Sequence, residues 1–170
     1  APSGGLRKTP RLLSAPGPRS VLLISPPVTP PWKNGSVLLA RDLASYGDTC
    51  RYHVLGTEGQ RHLAGTSAAV EPVYRDGGQT TRDRLRVMWR LLRPDSCHLH
   101  HFFFAPNRRT SQVARWALRL NRKPSVHTVA SQPASDLEIQ ELMFADRIVC
   151  VSDATAILFR SAGVEDVRVI

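Results

Sequence analysis

The 170-residue chain has few cysteines, few aromatic residues and no long apolar run. Its three cysteines (Cys50, Cys97 and Cys150) are far apart and show no C-x-x-C spacing. This spacing argues against a zinc site or a disulfide framework and favours buried thiols in a reducing cytoplasm. No stretch approaches the roughly 18 consecutive apolar residues of a membrane span. We also expect no secretory signal, because the first residues show no apolar run followed by a small-residue cleavage site. Apolar residues still make up 42% of the sequence, which is enough for one folded domain with a core.

The sequence also lacks the motifs of several common catalytic and cofactor sites. Neither G-x-G-x-x-G nor G-x-x-x-x-G-K-[ST] follows the first apolar run, and no Ser-His-Asp order, nucleophile elbow or paired-carboxylate motif stands out. We therefore name no catalytic residue and expect no bound cofactor. His98 and His100 share a strand face, but no third ligand is near and we predict no metal site. One buried histidine, with another at the strand's end facing a ligand cleft, is the favoured interpretation.

Acidic residues are scarce in the middle of the chain. Between Arg82 and Lys123, eleven cations are opposed only by Asp83 and Asp95, so this segment carries the whole net charge of +9. Two helices predicted there have an apolar side, which we place inward, and an arginine side, which we place outward. The residues placed inward are Leu85, Met88, Trp89, Leu92, Val113, Trp116, Ala117 and Leu120.

The outward arginines predict contact with something anionic. We select Arg86, Arg90, Arg115 and Arg119 as a surface for an anionic membrane or another anion. An ordinary solvated helix face is the alternative for each helix. Nucleic acid is disfavoured as a partner, because Trp89 and Trp116 are placed inward rather than among the arginines.

Strand-like apolar runs alternate with helical patterns along the chain. The predicted strands are Val21–Ile24, Arg51–Leu55, Ala69–Tyr74, Ser125–Val129, Arg147–Val151 and Val167–Ile170, and the segment Ser96–Phe104 is strand-like at its start. The predicted helices are Ser36–Tyr46, Thr80–Arg93, Thr110–Asn121, Ala134–Phe144 and Asp153–Ala162. This alternation predicts an α/β, Rossmann-like parallel sheet with helices on both faces. Residues 1–19, rich in Pro, Gly, Ser and Arg, are predicted to form a flexible basic tail, and residues 20–170 the domain.

The loops after the predicted strands hold the candidate ligand-binding residues, because ligands of open parallel sheets bind beyond the carboxyl ends of the strands. The selected loops are Ser25–Gly35, Gly56–Gly59, His100–Asn107, Ala130–Pro133 and Ser152–Asp153. In the first of them, Asn34 and Gly35 precede a helix whose free N–H groups suit an anion, although a plain turn fits the same residues.

Six segments of the chain, in order, resemble the N-terminal domain of GT-B-fold retaining glycosyltransferases of the subfamily 4-like type. The resemblance covers roughly Ser20 to Ile170. Its segments are NGSVLLARDLA (34–44), PDSCHLH (94–100), FAPN (104–107), KPSVHTVAS (123–131), ADRIVCVS (145–152) and the later Gly163-Val164. The resemblance implies that a sugar moves from a nucleotide-sugar donor to a glycan or lipid-linked acceptor with retention at the anomeric carbon.

The resemblance also implies a division of labour between two domains. The N-terminal domain would hold the acceptor, and a C-terminal domain, absent from this chain, would hold the nucleotide, so the chain alone is expected to be inactive. Asn34 and Gly35 would lie near the donor phosphates or the acceptor. The residues placed along the acceptor side or the cleft are His100, Asn107, Ser131 and Ser152.

The chain departs from the family pattern at two places, the first being that relatives often carry two glycines in the first loop, where Lys33-Asn34-Gly35 has one. Relatives often carry a histidine where this chain has Ala130, and His127 should point to the opposite face of its strand, so we give it no catalytic role. Many relatives act on lipid-linked acceptors, so we expect a cytoplasmic protein at the inner face of the membrane that takes part in polysaccharide or glycolipid assembly. A non-catalytic module that binds a sugar, a lipid head group or an anionic membrane is the alternative.

Overall fold

The computed structural model describes residues 18–30, 34–46, 49–75, 80–94, 97–133 and 138–170. The strands are β1 (Arg19–Ile24), β2 (Cys50–Thr57), β3 (Ala69–Tyr74), β4 (Leu99–Phe104), β5 (Ser125–Val129), β6 (Arg147–Cys150) and β7 (Val167–Val169). The helices are α1 (Gly35–Ser45), α2 (Thr81–Leu92), α3 (Arg108–Asn121), α4 (Ile139–Leu142) and α5 (Asp153–Ser161). Residues 1–17 of the predicted tail lie outside the described part, and its last residue, Arg19, begins β1.

The seven strands form one parallel sheet in the order β3-β2-β1-β4-β5-β6-β7. The order reverses direction between β1 and β4, which is where open parallel sheets bind ligands. Neighbouring residues of β1 pack on opposite faces: Leu22 packs with α2 and α3, and Leu23 packs with α1. The predicted Rossmann-like sheet with helices on both faces is therefore confirmed, and burial on both faces accounts for the continuous apolar runs.

The inward faces predicted for α2 and α3 are mostly wrong. In α2 the buried residues are Asp83 and Leu91, and in α3 they are Ser111, Ala114, Ala117 and Leu118. Of the residues placed inward, only Ala117 is fully buried. Five of them are exposed: Leu85 (57%), Trp89 (71%), Val113 (44%), Trp116 (53%) and Leu120 (59%). We call these five residues the α2–α3 apolar strip.

Other expectations are met in part. Of the helix predicted over Ala134–Phe144, residues 134–137 lie outside the described part, and only Ile139–Leu142 is helical in the rest. Cys97 and Cys150 are buried thiols as predicted, whereas Cys50, also a thiol, is half-buried. Among the described residues, no helix combines the length and apolar character needed to cross a bilayer.

Candidate functional site at the carboxyl edge of the sheet

Five of the six predicted substrate residues lie at the carboxyl edge of the sheet, and three of them are the N-caps of helices. Asn34 Oδ1 accepts a hydrogen bond from the Ser36 N–H (3.0 Å) at the start of α1. Asn107 Oδ1 accepts one from the Thr110 N–H (3.0 Å) at the start of α3. The predicted position of Asn34 and Asn107 is therefore correct, but their side-chain oxygens act as helix N-caps, a structural role that their sequence position alone does not distinguish from ligand binding.

Ser152, Gly35 and Ser131 lie at the same edge. Ser152 Oγ accepts from the Thr155 N–H (3.3 Å) and caps α5 in the same way. Gly35 is the first residue of α1, and a Cβ added there would meet no atom within 4 Å. Ser131 is exposed two residues beyond the end of β5. Because Thr80 caps α2 after β3 in the same way, the edge presents four capped helix N-termini, with open space at α1, an arrangement suited to anionic groups such as phosphates.

His100 is not at this edge, so its predicted place in the cleft is wrong. It is the second residue of β4, four residues before the strand ends at Phe104, and it is buried. His98 precedes the strand, and its Nδ1 accepts a hydrogen bond from the Ser20 N–H (3.1 Å) at the opposite edge. Among the described residues, no group of three or more His, Cys, Asp or Glu side chains is arranged to hold a metal ion.

His127 is fully buried on the face of the sheet that carries α2 and α3. Its Nε2–H donates to the Phe104 carbonyl (3.1 Å), and its ring lies 4.7 Å from Phe144 and 4.8 Å from Phe104, measured between ring centroids. Burial lowers the pKa of His127 to about 4. Ala130 packs on the other face, with the residues under α1, which agrees with the expected opposite orientation. His127 is therefore a neutral core residue, remote from the open edge.

A cavity of about 330 Å³ opens between α2, α3 and the ends of β1 and β4. Its walls are mostly aliphatic and aromatic. The apolar residues that line it are Ile24, Pro26, Val87, Met88, Leu91, Phe102, Phe104, Ala105, Val113 and Ala114. Because Ser25, Pro26, Ala105 and Asn107 also border it, the cavity reaches the carboxyl edge.

Most polar groups that line this cavity are already engaged within the protein. The Tyr74 hydroxyl donates to the Ser25 carbonyl (2.8 Å), and burial followed by the Asp83 charge raises the pKa of that phenol. Asp83 is held in a capping box with Thr80. Burial opposes its ionisation, but hydrogen bonds from Thr80 and Arg75 outweigh burial and lower the pKa of Asp83. Two cavity-lining cations, Arg84 and Arg109, are exposed and make no ion pair with any residue the structure describes.

Three of the four selected surface arginines are tied to the protein, which corrects the view of them as a free basic stripe. Arg86 Nη1 donates to Glu58 (3.0 Å), and Arg90 Nη2 donates to Glu71 (2.7 Å) with only 11% of the Arg90 side chain exposed. Arg115 Nη2 donates to the Met143 carbonyl (2.6 Å) and fastens α3 to the segment after α4. Arg119 is exposed, as expected.

A second, basic cavity of about 560 Å³ lies at the amino edge of the sheet. Arg115, Arg119, Arg122 and Lys123 line it, together with Asp146, whose carboxylate accepts from the Ser125 N–H and hydroxyl (2.8 Å each). The exposed arginines on or beside α2 and α3 that have no ion pair among the described residues are Arg82, Arg84, Arg93, Arg109, Arg119 and Arg122. Of the four arginines selected from the sequence, only Arg119 is among these six.

Sequence reasoning missed the apolar cavity and its two rim arginines. The capping box of α2 was the signal that could have revealed the cavity. Its Asp83 is followed four and eight residues later by Val87 and Leu91, and these three residues form the stripe of α2 that faces the sheet. The larger stripe of Leu85, Trp89 and their neighbours obscured it.

Comparison with known proteins gives a match in fold without a match in sequence families. No protein-family model matches the chain, and no curated protein matches it. The fold matches the crystal structure of HepE from Anabaena in complex with UDP and glucose, with a TM-score of 0.56 and 17% sequence identity. The match covers 89% of this chain and 44% of the HepE chain. The chain therefore has an α/β, Rossmann-like fold of the kind that forms one half of a GT-B structure, and it spans less than half the length of the structure it matches.

Proposed function

We propose that this chain is the acceptor-side domain of a glycosyltransferase, which moves a sugar from a nucleotide-sugar donor to a glycan or lipid-linked acceptor with retention. The match to a structure that binds UDP and glucose is the observation that carries the proposal. The open carboxyl edge, with helix N-termini and the cavity beside them, supports a substrate site there. A second Rossmann-like domain would hold the nucleotide, so no cofactor is assigned to this chain.

A transfer assay tests this proposal. The native full-length polypeptide, expressed from its own gene, is incubated with a panel of labelled nucleotide sugars and with extracted lipid and glycan acceptors. Ser131→Trp places an indole on the exposed carboxyl edge. It should lower kcat/KM about 100-fold, because displacing a bound reactant by about 1 Å can lower the rate by that factor. The anomeric configuration of the product, read by NMR, tests retention.

Thr49→Trp is the matched control for this assay. Thr49 is exposed directly before β2, at the opposite edge of the sheet, so an indole there should leave kcat/KM unchanged. Residues 1–170 alone should transfer no sugar. Equal losses in the two variants, or the absence of any transfer by the full-length polypeptide, would contradict the proposal and favour a non-catalytic binding module.

We also propose that the α2–α3 face lies on an anionic membrane, as a peripheral contact at its inner, cytoplasmic side. Trp89, Trp116 and Leu120 are more than half exposed, and exposed arginines such as Arg82 and Arg119 flank them. Asp83, the one acid within α2 and α3, is buried. An apolar strip bordered by cations, without exposed acids, is the surface that an interfacial helix presents to anionic lipid.

The exposed tryptophans remove the sequence-based reason for disfavouring nucleic acid. Lipid is still the better partner, because Leu85, Val113 and Leu120 offer aliphatic surface that bases do not stack on. Nucleic acid is therefore an outcome to be tested rather than the proposal.

Flotation with vesicles tests the membrane proposal. The protein should float with vesicles that contain phosphatidylglycerol and remain behind with pure phosphatidylcholine, and its tryptophan emission should shift to the blue. Arg82→Glu/Arg119→Glu should weaken binding about 30-fold or more, because each lost cation contributes ~1 kcal/mol at such a surface. Trp89→Ala/Trp116→Ala should also weaken it, at unchanged net charge.

Arg51→Glu/Arg61→Glu makes the same change in net charge at exposed positions in and after β2. This control should reduce flotation far less. If both charge reversals act alike, the effect is one of net charge and the α2–α3 face is not the contact. Displacement of the vesicles by a single-stranded oligonucleotide, together with tight oligonucleotide binding, would favour nucleic acid instead.

A further inference from the structure

The apolar cavity and the α2–α3 apolar strip are continuous. Val113 belongs to both, since it is 44% exposed and lines the cavity, and Met88 lines the cavity on the facing helix. The cavity therefore has one wall at the proposed membrane surface and another at the carboxyl edge, beside Ser25 and Asn107. An elongated molecule in it would connect the two surfaces.

The cavity's chemistry excludes a sugar as its main occupant. Sugars need hydrogen-bonding partners, but the Tyr74 hydroxyl and the Asp83 carboxylate are engaged with the protein, and the Asn107 oxygen caps α3. The remaining wall is hydrocarbon, including Leu91 and Phe102. Its natural occupant is an apolar chain, which gains free energy for each methylene removed from water.

The exposed charged groups at the rim of the cavity are cations, whereas the Asp83 carboxylate, which also lines the cavity, is buried and accepts hydrogen bonds from the Thr80 and Arg75 N–H groups. Arg84 on α2 and Arg109 on α3 are both exposed, both border the cavity, and neither has an ion-pair partner among the described residues. Guanidinium groups bind phosphate through paired hydrogen bonds. A chain seated in the cavity would therefore meet two phosphate-binding groups where it leaves the hydrocarbon wall.

We infer that the acceptor of the proposed glycosyltransferase is a lipid phosphate, whose hydrocarbon chain occupies this cavity and whose phosphate lies between Arg84 and Arg109. This inference depends on the proposed function only in calling the bound lipid phosphate an acceptor. Binding of a single-chain alkyl or prenyl phosphate follows from the cavity itself, and it narrows the choice between a glycan and a lipid-linked acceptor.

Calorimetric titration with decyl phosphate, below its micelle-forming concentration, tests the site without a membrane or a donor. Octyl phosphate should bind about tenfold more weakly than decyl phosphate, because two methylenes are lost. Inorganic phosphate and 1-decanol, which each supply half of the ligand, should both bind much more weakly. Geranyl phosphate has the same number of carbons as decyl phosphate, so the tighter of the two identifies a prenyl or a linear chain as the natural occupant.

Paired variants locate the binding. Val113→Trp fills the cavity mouth and should weaken decyl phosphate at least about tenfold, whereas Leu120→Trp, on the same helix but outside the cavity, should not. Arg84→Glu/Arg109→Glu should weaken it about 100-fold, since each lost charged contact costs roughly tenfold, while Arg82→Glu/Arg119→Glu should not. Because every substituted side chain is exposed, folding is expected to survive each change.

Two results would overturn the inference: no dependence of affinity on chain length, or equal losses in the cavity variants and their controls. Failure of the proposed function gives a different pattern. If decyl phosphate binds with the expected variant effects but the full-length polypeptide transfers no sugar to any acceptor, the lipid site stands and the enzyme proposal falls. If the full-length polypeptide transfers sugar to glycans and decyl phosphate does not bind, the enzyme proposal stands and the lipid site falls.

Discussion

Phe102→Ala should lower the free energy of unfolding by about 3–5 kcal/mol, the usual cost of emptying a buried aromatic site. Phe102 is 1% exposed in the middle of β4. Its ring meets Phe144 edge-on at a centroid distance of 5.0 Å and Phe104 at 6.1 Å, so the change removes a shared contact as well as buried area. Because small domains are stable by only ~5–15 kcal/mol, this variant would be near the limit of folding.

Trp89→Ala provides the contrast for Phe102→Ala in urea unfolding. It removes a larger side chain, but Trp89 is 71% exposed on α2 and should change the free energy of unfolding by less than about 0.5 kcal/mol. If Trp89→Ala destabilises the protein as much as Phe102→Ala does, the exposed placement of the α2–α3 apolar strip is wrong.

Acid should destabilise the protein between pH 6.5 and pH 4 through His127. Burial lowers the pKa of His127 to about 4, against an ordinary value of 6.5, so the unfolded chain takes up a proton in this range and the folded protein does not. Stability is therefore complete above pH 6.5 and falls as the pH drops, by up to ~1.4 kcal/mol per pH unit and about 3 kcal/mol in all. Burial lowers the pKa of His101 to about 4 as well, which adds to the slope.

Urea unfolding at a series of pH values measures this effect. His127→Gln keeps an N–H that can donate to the Phe104 carbonyl but cannot take up the proton, so its slope with pH should be shallower than that of the wild type. His127→Gln/His101→Gln should be shallower still. Overall stability at pH 7.5 is not the readout, because the substitution also changes packing. Parallel curves for wild type and variants would show that these histidines do not set the acid limit.

The fold was largely predictable because the sheet is buried on both faces. In an alternating α/β pattern, a continuous apolar run such as Val21–Ile24 is typical of a strand covered on both sides, and Phe102 and Phe103 contribute to opposite faces of the core. Gly163 follows the C-cap of α5 with a φ of 86°, in the left-handed region that favours glycine.

Apolar patterning alone predicted the wrong rotation of the helices about their axes. Helix α2 offers two stripes, and the more apolar one, with Leu85 and Trp89, is the one left outside. Arg86 and Arg90 pair with Glu58 and Glu71, acids from distant parts of the chain that lie on the sheet side of the helix. Nothing local to α2 reveals where those acids are.

The candidate site, like the fold, was predictable from the sequence only in part. The position of Asn34 and Asn107 at the carboxyl edge follows from the parallel topology, but their capping role depends on hydrogen-bond geometry. His100 was misplaced because the loop was predicted to begin at His100, whereas β4 continues to Phe104. The apolar cavity combines residues from β1, α2, β4 and α3, and no single stretch of sequence carries its pattern.

Three of the N-caps at this edge affect which substitutions such a chain can accept during evolution. Ser, Thr, Asp and Asn serve almost equally well as N-caps, so Asn34, Asn107 and Ser152 can each be exchanged for another of these residues at little cost. The helix N–H groups at the edge would keep their positions through such exchanges, because the backbone and not the side chain presents them. Chains can thus diverge widely in sequence while keeping the same arrangement of helix N-termini, which makes structure a more durable record of descent here than motif identity.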